Sequence, residues 1–324
     1  MASTGGRERW REIAGPVGLI DPGPRNSITD VPGLLVGHSQ AESGEPTGVT
    51  VVEPPTLPAP AATAVVNGMG ELTGKIEIDE RGHLTTPVYL CGSHAVGIVH
   101  HAAVLASGHG PGQIVLPVVG ECDDSWRADS RRVVVGDVER ALASLGEEVA
   151  EGTVGAGTGM MCFEFPGGIG TASRVVGEHL VGVLLLSNFG DRERLDLFGT
   201  HLEPAQVGTS PAGSCIAVCA TDAPMAPHQL RRMALRALLG LVRVGSYGCE
   251  GSGEIGLAFS TAQPGEVSND DLDPFFAAAW EAAQESVYNC LVAARPGEMR
   301  DGTMQEGFPI EEVRRLARAR DGDA

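Results

Sequence analysis

Lysine is almost missing from this 324-residue chain: Lys75 is the only one. That confines any lysine Schiff-base chemistry to a single position. The run Gly155-Ala156-Gly157-Thr158-Gly159 has no Gly-Lys-Ser/Thr after it, which excludes a P-loop and leaves a turn beside an active site as its expected role. Positive charge is scarce overall. The net charge of −19 argues against nucleic acid or an anionic membrane surface as partner. No run approaches the roughly 20 apolar residues of a transmembrane helix. Near the start, Arg7, Glu8, Arg9, Arg11 and Glu12 leave no apolar stretch of the kind a secretory signal needs. The seven cysteines are odd in number, scattered, and contain no C-x-x-C. They read as small buried hydrophobes in a reducing compartment, so a cytoplasmic location is expected. Among nine histidines there is no H-E-x-x-H and no ligand set at zinc spacing.

Aromatic residues are also few, at 4%, while hydrophobic residues reach 42% and glycine numbers 45. Such a chain buries a substantial core through close backbone approach and tight turns. Its length suits one large or two modest domains. Residues 1–25 read as an irregular arm. Residues 48–52 read as a strand, followed by a stiff loop from Pro54 to Pro60. Small and apolar residues at helical spacing predict a helix over Ser93 to Ala106, and an amphipathic helix is predicted over Val135 to Leu145. Ile114 to Val119 and Leu180 to Leu186 are apolar runs that predict buried strands. Pro227 suits the first turn of a helix carrying Leu230, Met233, Ala234, Ala237, Leu238, Leu241 and Val242 on one face, with Gly245 as its stop. Ile255 to Thr261 reads as a strand and Phe275 to Ala293 as a long buried helix. A polar linker and a short charged helix follow from residue 296. Strands alternate with helices, but spacing alone leaves the stacking of the sheets open.

One segment carries chemistry. A loop rich in Pro, Gly and Ser, from Val207 to Gly213, runs into the alternating stretch Ser214-Cys215-Ile216-Ala217-Val218-Cys219. Ser214 follows a residue with no side chain. That suits a chain that cuts itself before a Ser and then uses the new N-terminus as nucleophile and base together. A free α-amine has a reference pKa of about 7.7–8.0 and can take a hydroxyl proton near neutrality. The same residues also suit an ordinary turn before a strand. Ser252 and Glu254, two apart in an extended segment, project on one face and can reach one site together. Asn188, at the end of a buried strand, carries an amide that can donate to a developing oxyanion. Each has a plain structural reading as a turn residue.

The wider sequence chooses between these readings. Gly213-Ser214-Cys215-Ile216-Ala217-Val218-Cys219-Ala220-Thr221-Asp222-Ala223-Pro224 resembles the cleavage segment of the DmpA family of L-aminopeptidase/D-esterases, which includes the β-aminopeptidases. The blocks at 26–38, 67–74, 155–160, 167–174, 181–190 and 251–254 resemble that family in the same order. The resemblance implies an α/β fold, an αββα sandwich similar to N-terminal-nucleophile hydrolases. It implies one domain over 1–324, cut between Gly213 and Ser214 into an α chain of 1–213 and a β chain of 214–324. It further implies a homo-oligomer, a tetramer of αβ units, acting on small peptides, amides or esters with no metal or organic cofactor. By the same resemblance, Ser214 is the nucleophile, Ser252 hydrogen-bonds it, Glu254 orients that Ser, and Asn188 serves the oxyanion. Glu121 matches an acidic position near the substrate's amino group. Two residues on, this chain has Asp123 where the family's type member has Tyr, so any phenol-assisted step is in doubt. A related amide hydrolase of nylon-oligomer type, and an acyltransferase related to ornithine acetyltransferase, cleave before Thr instead of Ser. An uncleaved binding or scaffold protein is the remaining alternative. Preference for α- or β-amino acids, and for L or D configuration, is not readable from these motifs.

Overall fold

The computed structural model describes residues 8–203 and 213–322. The part of the expected loop from Val207 to residue 212 lies outside them. Twelve strands occur among the described residues. They are β1 (Leu35–Gln40), β2 (Gly48–Glu53), β3 (Ala59–Gly68), β4 (His83–Leu84), β5 (Val88–Gly92) and β6 (Val118–Cys122), then β7 (Met161–Cys162), β8 (Phe165–Pro166), β9 (Gly168–Val176), β10 (His179–Asn188), β11 (Ser214–Thr221) and β12 (Gly253–Ser260). The helices are α1 (Trp10–Ala14), α2 (Lys75–Arg81), α3 (Val96–Ala106), α4 (Val135–Ala143), α5 (Pro227–Arg243), α6 (Asp273–Ala293) and α7 (Ile310–Asp321).

Two sheets stack. One has six strands in the order β4-β3-β12-β11-β10-β9, the other four in the order β1-β2-β5-β6. β11 and β12 are parallel, as α5 between them requires. Alternation along β11 sends Ile216, Val218 and Ala220 into the inter-sheet core with Val52, Leu90 and Val118. It sends Cys215, Ala217 and Cys219 outward against Leu230 and Met233 of α5 and Ala279 and Ala283 of α6. A third cluster seals α3 and α4 onto the outer face of the smaller sheet through Val49, Val51, Tyr89, Val99 and Val138. The result is the expected αββα sandwich. Close approach is visible at β9 and α6, where a Cβ on Gly170 would fall 1.9 Å from the Ser286 carbonyl oxygen. Strands from before and after Gly213 share the six-stranded sheet, so the two halves of the chain build one body. No helix among the described residues is long and apolar enough to cross a membrane.

Three expectations need correction. The strand predicted at Ile114 starts only at Val118, because Pro117 cannot donate to a ladder, and Ile114 is exposed. The loop predicted to Pro60 ends earlier, since β3 begins at Ala59. The arm before residue 25 is not irregular throughout. It contains α1, whose Trp10 is buried and stacks on Tyr288 with ring centroids 4.1 Å apart.

Buried charge also pins that arm. The Arg174 guanidinium, fully buried on β9, donates to Glu281 (3.0 Å), Glu285 (2.8 Å) and the Val17 carbonyl (2.7 Å). Glu281 in turn accepts the N–H groups of Leu19 and Ile20, and Glu285 accepts from Arg11 and Asn26. Removing one side of such a network strands the other charges in a dry interior. Arg174→Met is therefore expected to cost about 3–5 kcal/mol in urea unfolding. A loss under 1 kcal/mol would mean that the carboxylates find water or other partners.

Candidate active site

The site forms where three neighbouring strands end at one level. In the antiparallel pairing of β10 with β11, Asn188 lies opposite Ser214. In the parallel pairing of β11 with β12, Ser214 lies opposite Gly253, between Ser252 and Glu254. Ser214, Asn188, Ser252 and Glu254 thus reach one level from segments far apart in the chain, with Ser214 and Asn188 on the inter-sheet face and Glu254, opposite Cys215, on the helix-covered face.

Ser214 shares the inter-sheet face with Ile216. Its Oγ is buried and makes no hydrogen bond to nitrogen or oxygen among the described residues, while the Cys122 thiol of β6 is its neighbour. Gly213, just before it, is set by space more than by backbone strain. A Cβ there would fall 2.2 Å from the Asn188 carbonyl oxygen. The Gly213 carbonyl accepts the Gly253 N–H at 3.1 Å.

The Asn188 carboxamide is held at both ends. Its Oδ1 accepts the Met161 N–H at 2.8 Å, and its Nδ2 donates to the Asp123 carbonyl at 2.9 Å. One N–H remains for another acceptor. Met161 follows the Gly155-to-Gly159 run, so that run does shape a turn beside the site. Asp123 meets Asn188 through its carbonyl, while its side chain accepts the Ser125 N–H at 2.9 Å. A carbonyl is available whatever residue stands at 123.

Ser252 Oγ donates to Glu254 Oε1, and Glu254 Oε2 is buried with no partner among the described residues. Burial pushes the Glu254 carboxyl above its ordinary pKa, and the Ser252 bond opposes that push in part. A pocket of about 220 Å³ opens here, lined by Phe189, Asp191, Gly213, Tyr247, Ser252 and Glu254.

Glu121 stands apart from that pocket. It lies on β6 of the other sheet, buried, accepting from the Ser93 hydroxyl and from the Glu71 N–H at 2.8 Å. Gly70 lies between Glu121 and Gly253, the residue opposite Ser214. A Cβ there would sit 3.3 Å from Glu121 Oε1 and 3.7 Å from Gly253 Cα. Burial raises the Glu121 pKa, opposed by the Ser93 and Glu71 bonds and reinforced by the charges of Asp123 and Glu71. Sequence reasoning passed over Ser93 and Tyr247 and gave Asn67 no role. Only contacts in three dimensions single them out. Among the described residues no group of three or more His, Cys, Asp or Glu side chains is placed to hold a metal ion.

Comparison with known proteins fits this geometry. The model of peptidase family S58 matches residues 26–305. The chain is 39% identical to the β-peptidyl aminopeptidase BapA of Sphingosinicella microcystinivorans, over 91% of this chain and 88% of that one. Among solved structures, a β-aminopeptidase from Burkholderia sp. superposes with a TM-score of 0.87 at 39% identity, covering 96% of this chain and 99% of the other. The L-aminopeptidase D-Ala-esterase/amidase of Ochrobactrum anthropi, described as a variant of the Ntn-hydrolase fold, superposes with a TM-score of 0.86 at 33% identity, covering 98% and 99%. The chain belongs to peptidase family S58, the DmpA-type aminopeptidases.

Proposed function

We propose that this chain cuts itself between Gly213 and Ser214 and then works as a serine aminopeptidase through an acyl-enzyme on Ser214. The observation that carries this reading is the register that flanks Ser214 with Asn188 on one strand and with Ser252, Gly253 and Glu254 on the other. In self-cleavage the Ser214 hydroxyl attacks the Gly213 carbonyl carbon. The C–N bond breaks, the hydroxyl proton passes to the Ser214 nitrogen, which leaves as an amine, and water hydrolyses the ester to leave a Gly213 carboxylate. The Gly253 N–H already on the Gly213 carbonyl oxygen stabilises the negative charge that develops there. In turnover the α-amine takes the hydroxyl proton and passes it to the leaving amine, and the remaining Asn188 N–H serves the substrate's oxyanion. In the uncut chain the Ser252 hydroxyl bonds Glu254; in the cut enzyme Ser252, oriented by Glu254, hydrogen-bonds the freed Ser214.

The substrate is a small peptide, amide or ester with a free amine. A carboxylate offers about four lone-pair sites, and Glu121 commits two of them to Ser93 and Glu71. The rest can receive an ammonium group. Two relatives at 39% and 37% identity are named β-peptidyl aminopeptidases, which favours β-amino acids at the cleaved end.

Intact mass of purified protein is expected to give two species, one ending at Gly213 and one starting at Ser214. Ser214→Ala is expected to stay whole and inactive. A wild-type chain uncut after long incubation would sink the proposal. For Glu121, losing a charge-assisted contact worth about 1.5–3 kcal/mol raises KM by roughly ten- to hundredfold. Glu121→Gln should show this on free-amine p-nitroanilides, and N-acetylated ones should be inert to wild type. Equal cleavage of acetylated and free substrates would remove the ammonium role.

Glu254 gives a pH prediction. Its folded pKa is raised, so its contribution to stability is fully present below the unfolded carboxylate pKa of about 4.3 and is lost as pH rises through the folded value. In the uncut Ser214→Ala background, Glu254→Gln is therefore expected to melt higher at neutral pH, with the advantage shrinking on acidification. An advantage that grows below pH 4.3, about the reference value, would have the wrong sign.

A further inference from the structure

Asn67 stands near the end of β3 at the level of the site. Val65 pairs with Ile255 and Asn67 pairs with Glu254, so Val66 is one residue in excess, a β-bulge. In an unbulged strand, residue 66 would oppose Glu254, and the side chain of residue 67 would point to the other face. The bulge re-aims Asn67 at the turn that carries Ser252. There its Nδ2 donates to the carbonyls of Cys249 (2.9 Å), Glu250 (2.8 Å) and Ser252. One amide nitrogen with two protons thus gathers three acceptors of a single short turn. The turn is closed by the Ser252 N–H on the Cys249 carbonyl at 2.9 Å. Gly251 and Gly253 give it little stiffness of its own.

Two groups hang on that turn. One is the Ser252 hydroxyl, bonded to Glu254. The other is the Gly253 N–H, bonded to the Gly213 carbonyl. We infer that Asn67 is a positioning residue that holds both the Ser252 hydroxyl and the Gly253 N–H in register with Ser214, and so sets the rates of self-cleavage and of turnover. It touches neither substrate nor nucleophile, and it acts through the turn. The inference rests on Ser214 being the nucleophile.

The test compares full-length Asn67→Ala, Asn67→Asp and Asn67→Gln with wild type and Ser214→Ala. Self-cleavage is followed by intact mass. Then kcat and KM of the processed fraction are measured on the p-nitroanilide that wild type cleaves fastest, beside the melting temperature. Ala and Asp both remove the donors, and misplacing catalytic groups by about an ångström costs on the order of a hundredfold. Slower cleavage is expected in both, with kcat lower by roughly ten- to hundredfold and KM within about threefold of wild type. Gln keeps both N–H groups and should recover part of each rate, which keeps the test open if Ala folds poorly. Wild-type cleavage and kcat in Asn67→Ala would overturn the inference, including the case where only Asp is impaired through its charge. So would losses that follow the melting temperature alone. If Ser214→Ala itself cuts or turns over, the nucleophile assignment fails. If Ser214→Ala stays whole while Asn67→Ala is normal, only the clamp fails.

Discussion

The register of three adjacent strands is the constraint on which the rest depends. Ser214 opens β11, Asn188 closes β10, and Gly253 opens β12, all at one level. A slip of one residue would turn every β11 side chain to the opposite face. What forbids the slip is burial. Ile216 and Val218 fill the space between the sheets, while Cys215, Ala217 and Cys219 pack under α5 and α6. Hydrophobic burial along the strands therefore fixes where the residues of the candidate site meet.

Charge is handled differently at the site and away from it. On the outer face of the larger sheet, Arg174 sits among Glu281, Glu285 and backbone carbonyls that use its donors. That network ties the N-terminal arm to α6. At the site, Glu254 and Glu121 are buried carboxyls with no arginine or lysine against them among the described residues, and burial raises both pKa values. Among those residues one Glu254 oxygen is also without a partner. A raised carboxyl pKa means that keeping these groups ionised at neutral pH costs stability.

Continuity of the sheet also bears on the proposed cut. β3, β9 and β10 precede Gly213, and β11 and β12 follow Ser214, yet they alternate within one sheet. The proposed cut between these residues would leave the interstrand ladders in place, and the fragments would share the cores that both line.

Much of this was legible from residues in order. Alternation announced β11, the 3.6-residue spacing announced α5 and α6, and the ordered motif blocks pointed to Ser214, Ser252, Glu254 and Asn188. Local pattern failed where tertiary contact overrides it. Ile114 looked like strand, but Pro117 delays the ladder to Val118, and the arm before residue 25 hid a helix because Trp10 finds Tyr288 only after folding. The sequence marked Gly213 as a residue that suits a cut before Ser214, but not the close approach it makes, with the Asn188 carbonyl 2.2 Å from where a Cβ would stand. Nor did it mark the bulge at Val66 that aims Asn67. By itself the sequence determined the elements, the family and the chemical types at the site, because periodicity and motif are properties of neighbours in the chain. Only the tertiary structure decided which side chains face one another and which carboxyls lie buried, because those depend on strand register and on surfaces that meet only when distant segments pack.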